Sequence, residues 1–259
     1  MTEMKGRVAL VTGAAQGIGK TVVKKLVEKG VIVAAVDINT DALHEFIFDL
    51  EKHGGRVSGF SVDVSDSEEV QRMVNQIERD LGPLHVLVNC AGVLRTGSVN
   101  TLCEEDWEAI FAVNSTGVFN VSRAVAKQMV PRQSGSIVTV SSNAAFVPRM
   151  YMAAYAASKA AATQFTKCLG LELADFNIRC NVVSPGSTET PMQHSLWSDE
   201  YGEQSTITGS QESFRLGIPL KRIANPSDIA DAILFLISDQ SRHMTMQDLC
   251  VDGGATLGV

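Results

Sequence analysis

The chain has 259 residues, 45% apolar and 20% charged, an ordinary globular composition with length enough for one large domain or two small ones. A formal net charge of −7 and a pI near 5.3 argue against nucleic acid or an anionic membrane as partner, and no block of Lys and Arg offsets that balance. The five cysteines (Cys90, Cys103, Cys168, Cys180, Cys250) form no C-x-x-C pair, so they read as small buried hydrophobes of a reducing compartment, and no metal is expected.

The opening "MTEMKGRVALVTG" lacks a signal-peptide core and no apolar run is long enough to span a bilayer, so a soluble cytoplasmic protein is expected. Seven apolar, β-branched runs follow in order: "RVALVT" (7–12), "VIVAAV" (31–36), "RVSGFSV" (56–62), "LHVLVN" (84–89), "GSIVTVS" (135–141), "IRCNVVS" (178–184) and "MQDLCV" (246–251). Several are nearly continuous in apolar residues, as strands covered on both faces should be. Helical patterns lie between them, such as "IGKTVVKKLVEK" (18–29) and "PSDIADAILFLIS" (226–238), the latter with Ser227 as its expected N-cap. This alternation predicts an α/β fold, a Rossmann-like doubly wound parallel sheet in a single domain spanning 1–259. The polar stretch 187–216, with Trp197, Tyr201 and Phe214 and no clean period, is expected to be a lid or binding loop, a solvated surface excursion being the other reading.

The first run ends in "TGAAQGIG", which places Gly13, Gly17 and Gly19 where a strand turns into a helix. Glycines there let the backbone approach a pyrophosphate that the helix N-terminus attracts. The spacing is G-x-x-x-G-x-G and departs from the common dinucleotide fingerprint. Asp37 closes the second run, eighteen residues past Gly19, where a carboxylate accepts hydrogen bonds from an adenosine ribose and repels a 2′-phosphate. Neither Ala14, Ala15 nor Ile38 supplies a cation, so NAD is favoured over NADP. A turn at "DINTD" would account for Asp37 alone, but not for its pairing with the glycines. Small or polar punctuation also ends the next runs: Asp63-Val64, Asn89 to Gly92, Ser141 to Asn143, and Ser184 to Gly186. Strand ends of this kind converge on one crevice in an open parallel sheet.

"AAYAASKAA" (153–161) places Tyr155 and Lys159 four apart on one helical face, thirteen residues after Ser142. A phenol beside a cation suits an acid–base whose pKa the cation lowers. Together with "NCAG", Asn114 in "AVNSTG", and "SPGSTETPM", these motifs resemble the short-chain dehydrogenase/reductases over essentially the whole chain. One departure is Cys90, where members often carry a second asparagine. The resemblance implies hydride transfer with Tyr155 as acid–base, Ser142 on the reacting oxygen, and Lys159 on the nicotinamide ribose and lowering the tyrosine pKa. It implies that Asn114 helps to hold a water in the proton path. Implied cofactor contacts are Gly13, Gln16, Gly17, Ile18, Gly19, Asp37, Ile38, Asp63, Val64, Asn89, Ala91, Gly92, Pro185, Gly186, Thr188 and Thr190, besides Tyr155 and Lys159. It also implies a homotetramer through helices in 104–131 and 152–174.

Within the family, "AGVLRTG", "GSTETPMQ" and "VDGGATLGV" resemble members that aromatise a small anionic cyclic dihydrodiol in siderophore biosynthesis. An acidic chain must meet that carboxylate locally. Arg95 or Arg149 is the expected ligand, through paired N–H donors, with Asn143, Met150, Met152 and Gln193 also expected at the substrate. Another alcohol, sugar or 3-oxoacyl oxidoreductase of the family is the alternative. A noncatalytic NAD-binding sensor would have no use for Asn114, Ser142, Tyr155 and Lys159 together.

Overall fold

The computed structural model describes residues 4–198 and 202–258. Seven parallel strands form one sheet: β1 (Val8–Thr12), β2 (Ile32–Asp37), β3 (Val57–Ser61), β4 (Leu84–Asn89), β5 (Gly135–Val140), β6 (Ile178–Pro185) and β7 (Asp248–Val251). Their order is β3-β2-β1-β4-β5-β6-β7. The chain therefore reverses its direction of winding between β1 and β4, and a crevice opens there beyond the strand ends.

The helices are α1 (Gly17–Glu28), α2 (Thr40–Lys52), α3 (Ser67–Asp80), α4 (Glu104–Phe111), α5 (Val118–Met129), α6 (Ala153–Glu172), α7 (Pro191–His194), α8 (Glu203–Thr208) and α9 (Pro226–Ile237). Side chains alternate along each strand, so the sheet builds two cores. Ala9, Val11, Val33 and Ala35 pack with Val22 and Leu26 of α1, Leu43 of α2 and Ile229 and Ile233 of α9. Val8, Leu10, Ala34 and Val36 pack on the other face with Val70 and Ile77 of α3 and Val121 and Val125 of α5. Burial on both faces is why the strands read as unbroken apolar runs.

Three expectations change. The cap of α9 is Asn225, whose side chain accepts from the Ser227 amide, not Ser227 itself. Pro226 takes the first helical position, where a missing N–H costs nothing, so the cap falls one residue before it. The stretch 187–216 is not wholly irregular, since it contains α7 and α8; Tyr201 lies outside the described residues. Of the cysteines only Cys180 is fully buried, while Cys103, just before α4, and Cys168, on α6, are exposed. Among the described residues no helix is long and apolar enough to cross a membrane.

Candidate active site

Two adjoining clefts open at the carboxyl ends of the strands, sharing Ile18, Cys90, Gly92, Thr190 and Met192. The first is built around the turn from β1 into α1 and is lined by Gly13, Gln16, Gly17, Gly19, Asp37, Ile38, Asp63, Val64 and Ala91. Gly13 has φ +66°, and a Cβ there would come within 2.8 Å of the Ala91 amide nitrogen. A Cβ on Gly19 would lie 2.1 Å from the Gly13 carbonyl oxygen, so the turn and helix can meet only as glycines. Gln16 gives α1 no side-chain cap, which leaves its first amides to an incoming anion. The Asp37 carboxylate accepts from Ala15 N and Asn39 N, each at 2.9 Å, and so fastens the glycine turn to the end of β2. Open helix amides, the absence of side-chain bulk and a carboxylate at the far wall fit a dinucleotide.

Asn89 does not belong to this lining. It points to the α5 layer, 2% exposed, with Nδ2 donating to Ser122 Oγ at 3.0 Å and Thr139 Oγ1 at 3.4 Å. Strand alternation puts it on the same face as Leu87, away from the crevice. Val62, Val93 and Val113 line the cleft instead and carried no signal beyond being apolar.

The second cleft holds Ser142, Tyr155 and Lys159, together with Asn143, Pro185, Gly186 and Thr188. Ser142 ends the loop after β5, and its Oγ accepts from Ala144 N at 3.1 Å. Tyr155, on the first turn of α6, hydrogen-bonds Ser142 and packs with Ala144 and Met152. Burial pushes its phenol above the ordinary tyrosine value, and the Ser142 hydrogen bond pulls it back. The expected lowering by Lys159 is not what governs Tyr155 in this arrangement. The ammonium lies 5.8 Å from the ring centroid and donates to Val140 O at 2.9 Å. Burial brings Lys159 itself down to about 8 and holds the adjacent Cys90 thiol neutral, at about 12.

Asn114 sits one layer behind the cleft wall. Residues 112–117 form a π-helical turn between α4 and α5, a feature common at functional sites and invisible in "AVNSTG". That turn delivers the Asn114 side chain to Val93, accepting from its N at 2.8 Å and donating to its O at 2.9 Å. Its Nδ2 also donates to Ser158 Oγ at 3.0 Å, which ties the loop after β4 to α6.

At the mouth, the two candidate arginines separate. Arg149 lines the second cleft, whereas Arg95 lines neither. Asp106, in the first turn of α4, lies 3.6 Å from Arg95 Nε and draws it outward. Met150 is 41% exposed and lines neither cleft, whereas Met152 and Gln193 do line the second. Asn143 is there too, its Nδ2 donating to Asp252 Oδ2 at 3.3 Å. His194 pairs with Glu189 on the outer side of α7. Met192, Leu196, Thr206, Arg215 and Ile218 also line this cleft and escaped sequence reasoning, because the loop that delivers them has no period. No group of three His, Cys, Asp or Glu able to hold a metal occurs among the described residues.

The family model for short chain dehydrogenase matches residues 7–201. The chain is 59% identical to a 2,3-dihydro-2,3-dihydroxybenzoate dehydrogenase of Bacillus subtilis, over 99% of this chain and 98% of that one. It is 43% identical to the Escherichia coli protein of the same name, over 99% of each. A Vibrio cholerae protein named vibriobactin-specific 2,3-dihydro-2,3-dihydroxybenzoate dehydrogenase is 45% identical, over 96% of this chain and 95% of its own. Among solved structures, gox2181 matches with a TM-score of 0.90 at 30% identity, covering 99% of this chain and 98% of that one.

Proposed function

Because the chain belongs to the short-chain dehydrogenase family, we propose that it oxidises 2,3-dihydro-2,3-dihydroxybenzoate to 2,3-dihydroxybenzoate with NAD. The observation that carries this reading is the Ser142–Tyr155 pair beside a buried Lys159, in a cleft that also takes two arginines, within a chain 59% identical to a relative of that name.

NAD is supported by Asp37, whose carboxylate lines the first cleft with Ile38 next to it and no cation among that cleft's lining to receive a 2′-phosphate. Gly13, Gly17, Gly19 and the open amides of α1 would take the pyrophosphate, and Asp63 and Val64 would border the adenine side. Pro185, Gly186, Thr188 and Thr190 would border the nicotinamide. When bound, nicotinamide accepts the hydride that leaves the carbinol carbon.

Ser142 holds the ring hydroxyl in place while Tyr155, as phenolate, takes its proton. Burial raises the Tyr155 phenol in the unliganded arrangement, so in this reading Lys159 would have to bring its charge to bear on the phenolate once cofactor and substrate are bound. Asn114 keeps the 92–93 loop and α6 in register, and we assign it the water at the end of the proton path. Loss of the carbinol hydrogen as hydride and of the hydroxyl hydrogen as proton leaves a ketone, which tautomerises to the catechol. The aromatic product makes the oxidation favourable.

The segment 187–216 serves in this reading as a lid over the ring, through Gln193 and Leu196. The reading extends to a cytoplasmic enzyme of catechol siderophore biosynthesis. It also takes the protein to be a homotetramer, supported by the exposed aromatic side chains Trp107 of α4 and Phe119 of α5.

The test is incubation of the purified protein with the dihydrodiol carboxylate and NAD or NADP. The expected result is one reduced NAD per 2,3-dihydroxybenzoate formed and a much slower reaction with NADP. Absence of catechol with either cofactor would refute the reading.

A further inference from the structure

Asn143 follows Ser142 in the chain, and both residues line the substrate cleft. A short 3₁₀ turn, Asn143–Ala145, fixes the backbone there: Ala145 N donates to Ser142 O at 2.9 Å and Val147 N to Asn143 O at 3.1 Å. The geometry points to Asp252 as a positioning residue that turns the Asn143 amide so that its oxygen receives the second, non-reacting hydroxyl of a vicinal diol. This rests on the dihydrodiol reading above and names what recognises the other half of the diol.

The orientation follows from which atoms can donate. A carboxylate only accepts hydrogen bonds, so the end of the Asn143 amide that meets Asp252 must be its NH2 group. Asn143 Nδ2 donates to Asp252 Oδ2 at 3.3 Å. Asn143 Oδ1 accepts nothing from the described residues, and it is not one of their buried unmatched atoms. It is therefore an open acceptor in the wall of the cleft that Asn143 lines. A hydroxyl is the donor that suits it: Ser142 and Tyr155 take the reacting hydroxyl, and the residue next to Ser142 meets the neighbouring one.

The carboxylate is held as firmly as the amide it directs. Thr256 Oγ1 donates to Asp252 Oδ2 at 2.8 Å and Gly254 N donates to Oδ1 at 2.9 Å, so the turn after β7 grips both oxygens. Burial pushes this carboxyl up, but hydrogen bonds from Thr256, Asn143 and Gly254 outweigh it and keep Asp252 below the usual carboxylate value. It stays ionised, and an ionised carboxyl has no proton to offer the Asn143 oxygen. The amide is thus turned before any ligand arrives, which lowers the ordering cost of binding.

The backbone makes room for this contact. Gly186 N donates to Val251 O at 3.0 Å, which lays the chain leaving β6 against the residue before Asp252. A Cβ on Gly186 would come within 2.6 Å of Asp252 Cβ and 3.4 Å of Asn143 Nδ2. Only a residue without a side chain lets the carboxylate and the amide meet there. The pair is therefore built from three segments: the loop after β5, the end of β6 and the turn after β7.

The experiment compares N143A, D252A and D252N with the unmodified protein on two carboxylates, the dihydrodiol and the same ring bearing only the reacting hydroxyl. The unmodified protein should favour the diol in kcat/KM by about tenfold, the worth of one well-placed hydrogen bond. N143A and D252A should erase that preference, mainly through KM, and D252N, which keeps one acceptor oxygen, should fall between. The single alcohol should change by less than about twofold in each variant. Equal losses on both alcohols, the mark of a merely structural role, or an undiminished preference in N143A or D252A would overturn the inference. Thermal melts accompany the assay, and if D252A melts early D252N decides by the same criterion. If the unmodified protein makes no catechol, the activity reading fails and binding decides the inference. With NADH present, 2,3-dihydroxybenzoate should then bind N143A about tenfold more weakly than the unmodified protein, and benzoate should bind both alike. Equal changes for the two ligands, or no binding of 2,3-dihydroxybenzoate by either protein, would overturn it.

Discussion

The two clefts share a wall but are made of different material. The first is held by main chain: a glycine turn that excludes side chains, uncapped helix amides, and a carboxylate whose two oxygens accept backbone N–H groups. The second is held by side chains delivered from α6, α7 and the loops around 142–149 and 209–218. Backbone recognition suits a part of the reaction that never varies. Side-chain recognition on irregular segments suits the part that distinguishes one substrate from another.

If that division is right, variants should separate by cleft, and the largest effect belongs where the halves meet. Lys159→Met is expected to lower kcat at least about 100-fold, since the phenolate then has no cation beside it. Stability should move the other way. Burial holds the Lys159 pKa near about 8 in the folded chain, against 10.5 when exposed. Between those values the unfolded chain binds more protons, so folding is favoured as pH rises through the window. Below it the folded protein bears a buried cation, which methionine removes at the cost of orphaning the Val140 carbonyl. Melting at pH 7 should therefore stay level or rise by a few degrees in the variant, and the advantage should vanish by about pH 10.5. A variant that melts much earlier at pH 7 and no later at pH 10 would contradict this.

A smaller effect, confined to the first cleft, is expected from Gly19→Ala. Its Cβ would press on the Gly13 carbonyl, which is backbone and cannot turn aside. The expected cost is about 2–3 kcal/mol of stability, about 5–10 °C in Tm, with NAD affinity lowered about tenfold or more. Calorimetric melts and NAD titration measure it. Unchanged NAD affinity would mean that the glycine turn is not the pyrophosphate seat.

The same division explains what was readable beforehand. Strands buried on both faces announce themselves as apolar runs, and a glycine turn followed by an acidic strand end is a backbone requirement written in residue types. Position in space is another matter. Arg95 and Arg149 look alike in sequence, and only the nearness of Asp106 to Arg95 draws them apart. Asn89 sits at a strand end but faces the α5 layer, so a strand-end rule alone places it wrongly. Arg215 belongs to a hairpin closed by two glycines, whose geometry no periodicity encodes. The π turn that aims Asn114 ends at Gly117, where a Cβ would come within 2.6 Å of Val64 Cγ2, a close approach its six residues do not disclose.

The central claim is that Tyr155 performs the proton transfer in a site whose cofactor half is independent of it. Single-turnover oxidation of the dihydrodiol carboxylate by Tyr155→Phe tests this most directly, with NAD binding titrated on the same preparation. The account predicts a chemical step slowed by about 1,000-fold or more, with the NAD dissociation constant within about threefold of the unmodified protein. A phenylalanine variant that still oxidises the ring at a rate close to that of the unmodified protein would contradict it.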